Sequence, residues 1–183
     1  MTSVLSLFCM EDTPIFTRRA ACFLASGLCL VGLFGRVAAA QSPEVLLRVQ
    51  GDVKTPLSLT AEDLAAMPRH TAVQQSDGKD VTYEGVLLYD ILKKAGVPFG
   101  QALMGKGMAS YVLAGASDGY QVVFAIAEVD PEIEGSAVLV ADKRDGGPLN
   151  AKQKPLQVIA PQDKRHARSI HSLITLDVVM LRK

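Results

Sequence analysis

The chain has 183 residues, with 19 basic and 19 acidic side chains for a formal net charge of +0, and 49% of its residues are apolar. That balance leaves no basic excess of the kind that marks nucleic-acid binders, and the one long apolar run falls short of the roughly twenty residues needed to span a bilayer. The three cysteines, Cys9, Cys22 and Cys29, all lie near the N-terminus, so the remainder holds no disulfide, no thiol nucleophile and no thiolate metal ligand.

In chain order, Arg18-Arg19 precede the apolar run at 20–34, and Val37-Ala38-Ala39-Ala40 offers an A-x-A cleavage site before Gln41. This pattern predicts a secretory signal peptide over residues 1–40 and a single domain over 41–183. The expected location is periplasmic or secreted, with no stable membrane insertion once the signal is cleaved. The arginine pair leaves the choice between general and twin-arginine export open.

Residues 44–50 read as a first strand closed by Gly51-Asp52. Thr60 is placed to cap a short helix whose first turn carries Glu62 and Asp63, and Pro68 stops it. Residues 70–75 alternate as a strand, Ser76-Asp77-Gly78-Lys79 forms a turn, and Val81-Thr82-Tyr83 returns as a hairpin. The clearest helix follows. Val86, Leu87, Leu88, Ile91, Leu92 and Ala95 give it a broad apolar face, Lys93-Lys94 suit its last turn, and Gly96 with Pro98 end it.

Residues 99–109 are rich in Gly and Met and read as an irregular connection. The β-rich runs at 111–115 and 121–125 flank Asp118-Gly119, a strong hairpin signal, and 125–129 suits one helical turn. Residues 137–141 read as a buried strand, Asp145-Gly146-Gly147-Pro148 as a turn, and 173–181 as a final strand. Short strands in mixed order with few helices predict an α+β domain built on a mixed sheet or sandwich.

The most informative stretch is 155–171. An apolar run, Leu156-Gln157-Val158-Ile159-Ala160, ends at Pro161 and opens into Gln162-Asp163-Lys164-Arg165-His166-Ala167-Arg168-Ser169-Ile170-His171. A buried strand that delivers cationic and hydroxyl side chains to the rim of a sheet predicts an anion site, with Lys164, Arg165, His166, Arg168, Ser169 and His171 as candidates. The plainer reading of the same residues is a solvated loop partly neutralised by Asp163. His166 and His171 supply too few ligands for a metal site of their own.

The order of motifs resembles the oxidoreductase molybdopterin-binding domain family, the catalytic fold of sulfite oxidase. The matching pieces are Leu59-Thr60-Ala61-Glu62-Asp63-Leu64 with Met67-Pro68, Tyr83-Glu84-Gly85-Val86-Leu87-Leu88-Tyr89-Asp90-Ile91-Leu92 with Ala95-Gly96, and Ser117-Asp118-Gly119-Tyr120. They continue with Ala141-Asp142-Lys143-Arg144-Asp145-Gly146-Gly147-Pro148-Leu149, then residues 155–161 and Ala167-Arg168-Ser169-Ile170. The resemblance implies the sulfite oxidase molybdopterin-binding fold. It also implies a pyranopterin that holds molybdenum through its dithiolene, with one protein thiolate completing the sulfur ligation.

The thiolate position falls near Gln75 or Ser76, where this chain has no cysteine. A serine hydroxyl is a hard, weak donor in place of a soft anionic one. The family's Ser-x-Lys-Trp continuation is also replaced, by Ser169-Ile170-His171-Ser172. The favoured expectation is therefore an exported domain of this family without thiolate-ligated molybdenum, binding a small anion, a pterin-like ligand or a periplasmic protein partner. Its expected cofactor is none, with Ser76 and the basic loop contacting the ligand. The alternative is a periplasmic molybdopterin-dependent oxidoreductase that binds the cofactor without a protein cysteine.

Overall fold

A computed structural model describes residues 43–181 other than 77, so the expected signal peptide lies outside the described residues. Residues Gln41–Lys183 make up one compact unit. Two five-stranded sheets carry it, with strand orders β2-β1-β10-β5-β6 and β3-β4-β7-β8, the short β9 pairing with β7 beside β8. This is the expected α+β architecture of mixed sheets and few helices.

In the first sheet, β1 (Val45–Gly51) buries Leu47 and Val49 while Arg48 and Gln50 face solvent, the period-2 pattern of a half-buried strand. It pairs antiparallel with β2 (Leu57–Thr60) and parallel with β10 (Leu173–Val179). Gly51 ends β1 at φ 90°, where a Cβ would run into the Val178 carbonyl oxygen. The sequence reading has no strand at β2, because Ser58-Leu59-Thr60 reads as a helix lead-in. Both uses hold: Thr60 ends β2 and caps α1 (Ala61–Ala65) in a reciprocal box with Asp63. The sheet is completed by β5 (Tyr111–Ala116) and β6 (Gln121–Ala125), joined by the expected Asp-Gly hairpin. One turn of helix, α3 (Ile126–Val129), follows β6.

In the second sheet, β3 (His70–Ser76) and β4 (Lys79–Leu87) form a hairpin with unbroken register from His70↔Gly85 to Ser76↔Lys79. Val86 and Leu87 belong to β4 and not to the helix expected there. They pair with Val140 and Leu139 of β7 (Leu139–Arg144) across a register shift at Gly85, and α2 (Leu88–Lys94) begins only afterwards. The pairing overrides the helical spacing because both faces of this stretch are covered. Gly85 permits the close approach, since a Cβ there would overlap the Val140 carbonyl oxygen. The strands β8 (Gly147–Pro148) and β9 (Gln157–Ile159) flank β7.

The main core gathers Leu47, Leu64, Val86, Leu88, Ile91, Leu92, Phe124, Leu156 and Leu173, all essentially inaccessible. Burying each such side chain contributes about 1.5–3 kcal/mol before conformational entropy is charged against it. The Gly- and Met-rich connection folds as two 3-10 turns, Gly100–Leu103 and Gly105–Ala109. Among the described residues no helix is long and apolar enough to cross a membrane.

Candidate functional site

Where β3, β4, β7 and β9 meet the loops at 150–153 and 161–171, a polar cavity of about 260 Å³ opens, with Gln74, Ser76, Tyr83, Arg144, Gln157 and Ser169 among its walls. Alternation along β3 turns Gln74 inward, 7% exposed, while its neighbour Val73 is 55% exposed. Gln74 Nε2 donates to Ser169 Oγ at 2.8 Å, and the Ala160 amide donates to the same oxygen at 3.2 Å. With both acceptor positions of Ser169 engaged by donors, its own hydroxyl proton is left to donate.

Backbone bonds fold the loop 161–171 back on the strands before it. Val158 N donates to Ile170 O at 2.9 Å, and Leu173 N to Leu156 O at 2.8 Å, folding the loop back along β9. Tyr120 at the tip of the β5–β6 hairpin donates its hydroxyl to Ala167 O at 3.0 Å. The opposite wall is a knot of neutral polar groups. Gln153 Nε2 donates to Tyr83 Oη at 3.3 Å, and its Oε1 accepts from Asn150 N at 3.2 Å. Arg144 lies over the Tyr83 ring, 6.0 Å from its centroid. Lys152, His166 and His171 complete the rim, and no carboxylate stands among the described lining residues.

Of the residues the sequence nominates, Gln75, Ser76, His166, Ser169 and His171 meet at this cavity. A second cleft of about 330 Å³, reaching Asp118 and Tyr120, shares His166, Ser169 and His171 with it. Lys164 and Arg165 are exposed and line neither. Arg168 is committed elsewhere. Its Nε donates to Asp163 Oδ2 at 2.9 Å, and its Nη1 and Nη2 donate to the two oxygens of Glu128 at 3.1 and 2.9 Å. Its guanidinium also lies 5.0 Å from the Phe124 ring centroid. Hydrogen bonds to Asp163 and then to Glu128 push its pKa upward, fixing it as a cation that ties the loop to α3.

The residues that sequence reading misses are Gln74, Tyr83, Arg144, Asn150, Lys152, Gln153 and Gln157. One signal was available for Gln157: an amide in the run Leu156-Gln157-Val158-Ile159-Ala160, whose other members are all apolar, marks a buried polar position.

The donors here are amides, hydroxyls, imidazoles, a guanidinium and an ammonium, with no thiol among the described residues. Nor do the described residues include a group of three or more His, Cys, Asp or Glu side chains placed to hold a metal ion. Such a set suits the anionic or amide groups of a ligand and does not supply the soft anionic donor that thiolate-ligated molybdenum takes from protein.

Fold and cavity define a two-sheet α+β domain with an amide-rich, cation-rimmed pocket at the edge of its second sheet. The chain belongs to the oxidoreductase molybdopterin binding domain family, whose model matches residues 35–179. Its fold is similar to the crystal structure of the sulfane dehydrogenase SoxCD from Paracoccus pantotrophus, with a TM-score of 0.57 and 21% identity over 72% of this chain. The match spans 37% of that longer chain. No curated protein matches this chain.

Proposed function

We propose that this protein is an exported member of the family whose domain, residues 41–183, binds a small anionic or pterin-like ligand, or a periplasmic protein presenting such a group, without thiolate-ligated molybdenum. The observation that carries the proposal is the lining of the cavity. Arg144, Lys152, His166 and His171 surround inward-facing amides with no described carboxylate between them, an arrangement that attracts anions. The cavity lies just under the roughly 300 Å³ at which pockets for drug-sized ligands begin, which favours a small ligand. The signal-peptide pattern at 1–40 supports export.

The test is to express the full chain in a host with an intact molybdenum-cofactor pathway, then measure molybdenum, pterin fluorescence and the heat of anion binding on the purified protein. Anion binding with no molybdenum is the expected result. Molybdenum at one atom per chain would overturn the proposal and favour the second reading, a periplasmic molybdopterin-dependent oxidoreductase that binds its cofactor without a cysteine. Family membership is the observation that supports that alternative.

A further inference from the structure

A larger cavity, of about 770 Å³, is lined from β1, β7, β8 and β10 and from residues 154–155, and it shares no lining residue with either polar cleft. Val45, Leu46, Pro148, Leu149, Pro155 and Ile174 give it apolar walls. Leu149 is buried, but Val45 and Ile174 remain 39% and 37% exposed. Exposed apolar side chains gathered in a concavity of this size are the setting of a ligand pocket more than of a solvated sheet face.

Four charged side chains line the same cavity, and they are not equivalent. Asp142 accepts from Arg69 through both carboxylate oxygens, so its charge is already matched. Arg48, Lys154 and Glu44 take part in no ion pair among the described residues. Two uncommitted cations therefore stand against one uncommitted carboxylate beside an apolar wall. Arg48 follows Leu46 by two residues along β1, about 7 Å of strand rise, so a charged head and an apolar chain can be met together. We propose that this cavity binds an amphiphile with an apolar chain and a single anionic head, an alkyl carboxylate being the simplest. The site is separate from the polar cavity and does not depend on the reading given to it.

The experiment is titration calorimetry on the intact protein in low salt with dodecanoate, octanoate and dodecyltrimethylammonium, each kept below its micelle concentration. Dodecanoate is expected to bind at least about tenfold more tightly than octanoate, because its added methylenes leave water. It is expected to bind at least about fivefold more tightly than the trimethylammonium ion, since each exposed charge contact is individually weak. The double variant Arg48→Gln, Lys154→Gln should bring that second ratio to about one or below, and Glu44→Gln should raise it by about twofold. All three side chains are exposed, so these variants test charge and not packing. Sodium phosphate, the probe of the polar cavity, is expected not to displace dodecanoate at matched ionic strength. Displacement would put both ligands at one site and overturn the assignment. Equal affinities for the two head groups or for the two chain lengths also overturn it, as does no binding. Failure to bind accompanied by a dimer in sedimentation would give the groove to a second copy of this chain.

Discussion

Gln74 and Ser169 stand 95 positions apart in sequence and meet side chain to side chain at 2.8 Å, both buried. This bond ties the edge strand of the second sheet to the loop that the basic residues occupy, so the shape of the cavity depends on it. Replacing Gln74 by Leu removes the donor and leaves Ser169 Oγ with the Ala160 amide as its remaining partner. The expected loss is about 1–3 kcal/mol in denaturant-unfolding free energy, the cost of stranding a buried polar partner. Gln74→Glu is expected to weaken anion binding as well, since it sets a carboxylate into a cavity with no other described carboxylate in its lining. Unchanged unfolding in Gln74→Leu would show that the bond does not hold the loop.

Arg168 contributes to the fold and not to the cavity. In Arg168→Ala the carboxylates of Asp163 and Glu128 lose their shared cation, and Phe124 loses the guanidinium above it. A decrease of about 1.5–3 kcal/mol is expected, the range for hydrogen bonds to charged groups. Arg168→Lys should recover only a part, because an ammonium cannot reproduce the fork that reaches both carboxylates. Calorimetry on the same variants is expected to show phosphate affinity within about twofold of the parent, well under the effect of a lost charged hydrogen bond. A collapse of binding with unchanged stability would return Arg168 to the ligand.

Much of the fold was legible in the sequence, and for identifiable reasons. Thr60 with Asp63, Asp118-Gly119 and the alternation along β1 are local signals whose chemistry acts within a few residues. The start of α2 was misplaced because Val86 and Leu87 fit a helical face by spacing. What decides their state is the partner strand β7, more than fifty positions later, reached through the gap at Gly85. The cavity was half legible for the same reason. Charge and hydroxyl content mark residues 161–171 as polar, but sequence does not reveal that Arg168 finds Glu128, or that Arg144 and Lys152 arrive from other elements. Counting cations in one loop selected by proximity in sequence, whereas the fold selects by proximity in space.

Gly85 should tolerate no side chain. Because a Cβ would overlap the Val140 carbonyl oxygen, Gly85→Ala must push β4 from β7 at the register shift that positions Tyr83 and Arg144. A destabilisation of about 3 kcal/mol or more is expected by thermal or chemical unfolding, at the upper end for overpacking. A well-folded Gly85→Ala with parent-like stability would mean that the two strands are farther apart than described.

Acid sensitivity at α1 follows from its cap. The Thr60 backbone N–H and then its hydroxyl donate to the Asp63 carboxylate and lower its pKa from the usual aspartate value. A group whose folded pKa is depressed stabilises the fold above its unfolded value, near pH 4, and loses that contribution as pH falls through the lower folded value. Asp63→Asn should therefore flatten the decline of melting temperature below about pH 4 relative to the parent. An identical acid slope in both proteins would remove Asp63 from the titration.

The cations that matter for binding are set by position around the cavity and not by membership of the basic loop. Arg144 and Lys152 line it, whereas Lys164 and Arg165 are exposed elsewhere on the same loop that supplies His166. Arg144→Ala and Lys152→Ala should each weaken phosphate binding by about tenfold, the effect of losing a charge-assisted hydrogen bond of roughly 1.4 kcal/mol or more. Lys164→Ala and Arg165→Ala should change it by about twofold or less in low salt, and by nothing measurable at ionic strength above about 0.15 M, where exposed charges beyond the Debye length are screened. Calorimetry across a salt series separates the two classes. If the loop lysine and arginine prove the stronger pair, the ligand sits on the outer face of residues 161–171, and the cavity between β3, β7 and β9 is not its site.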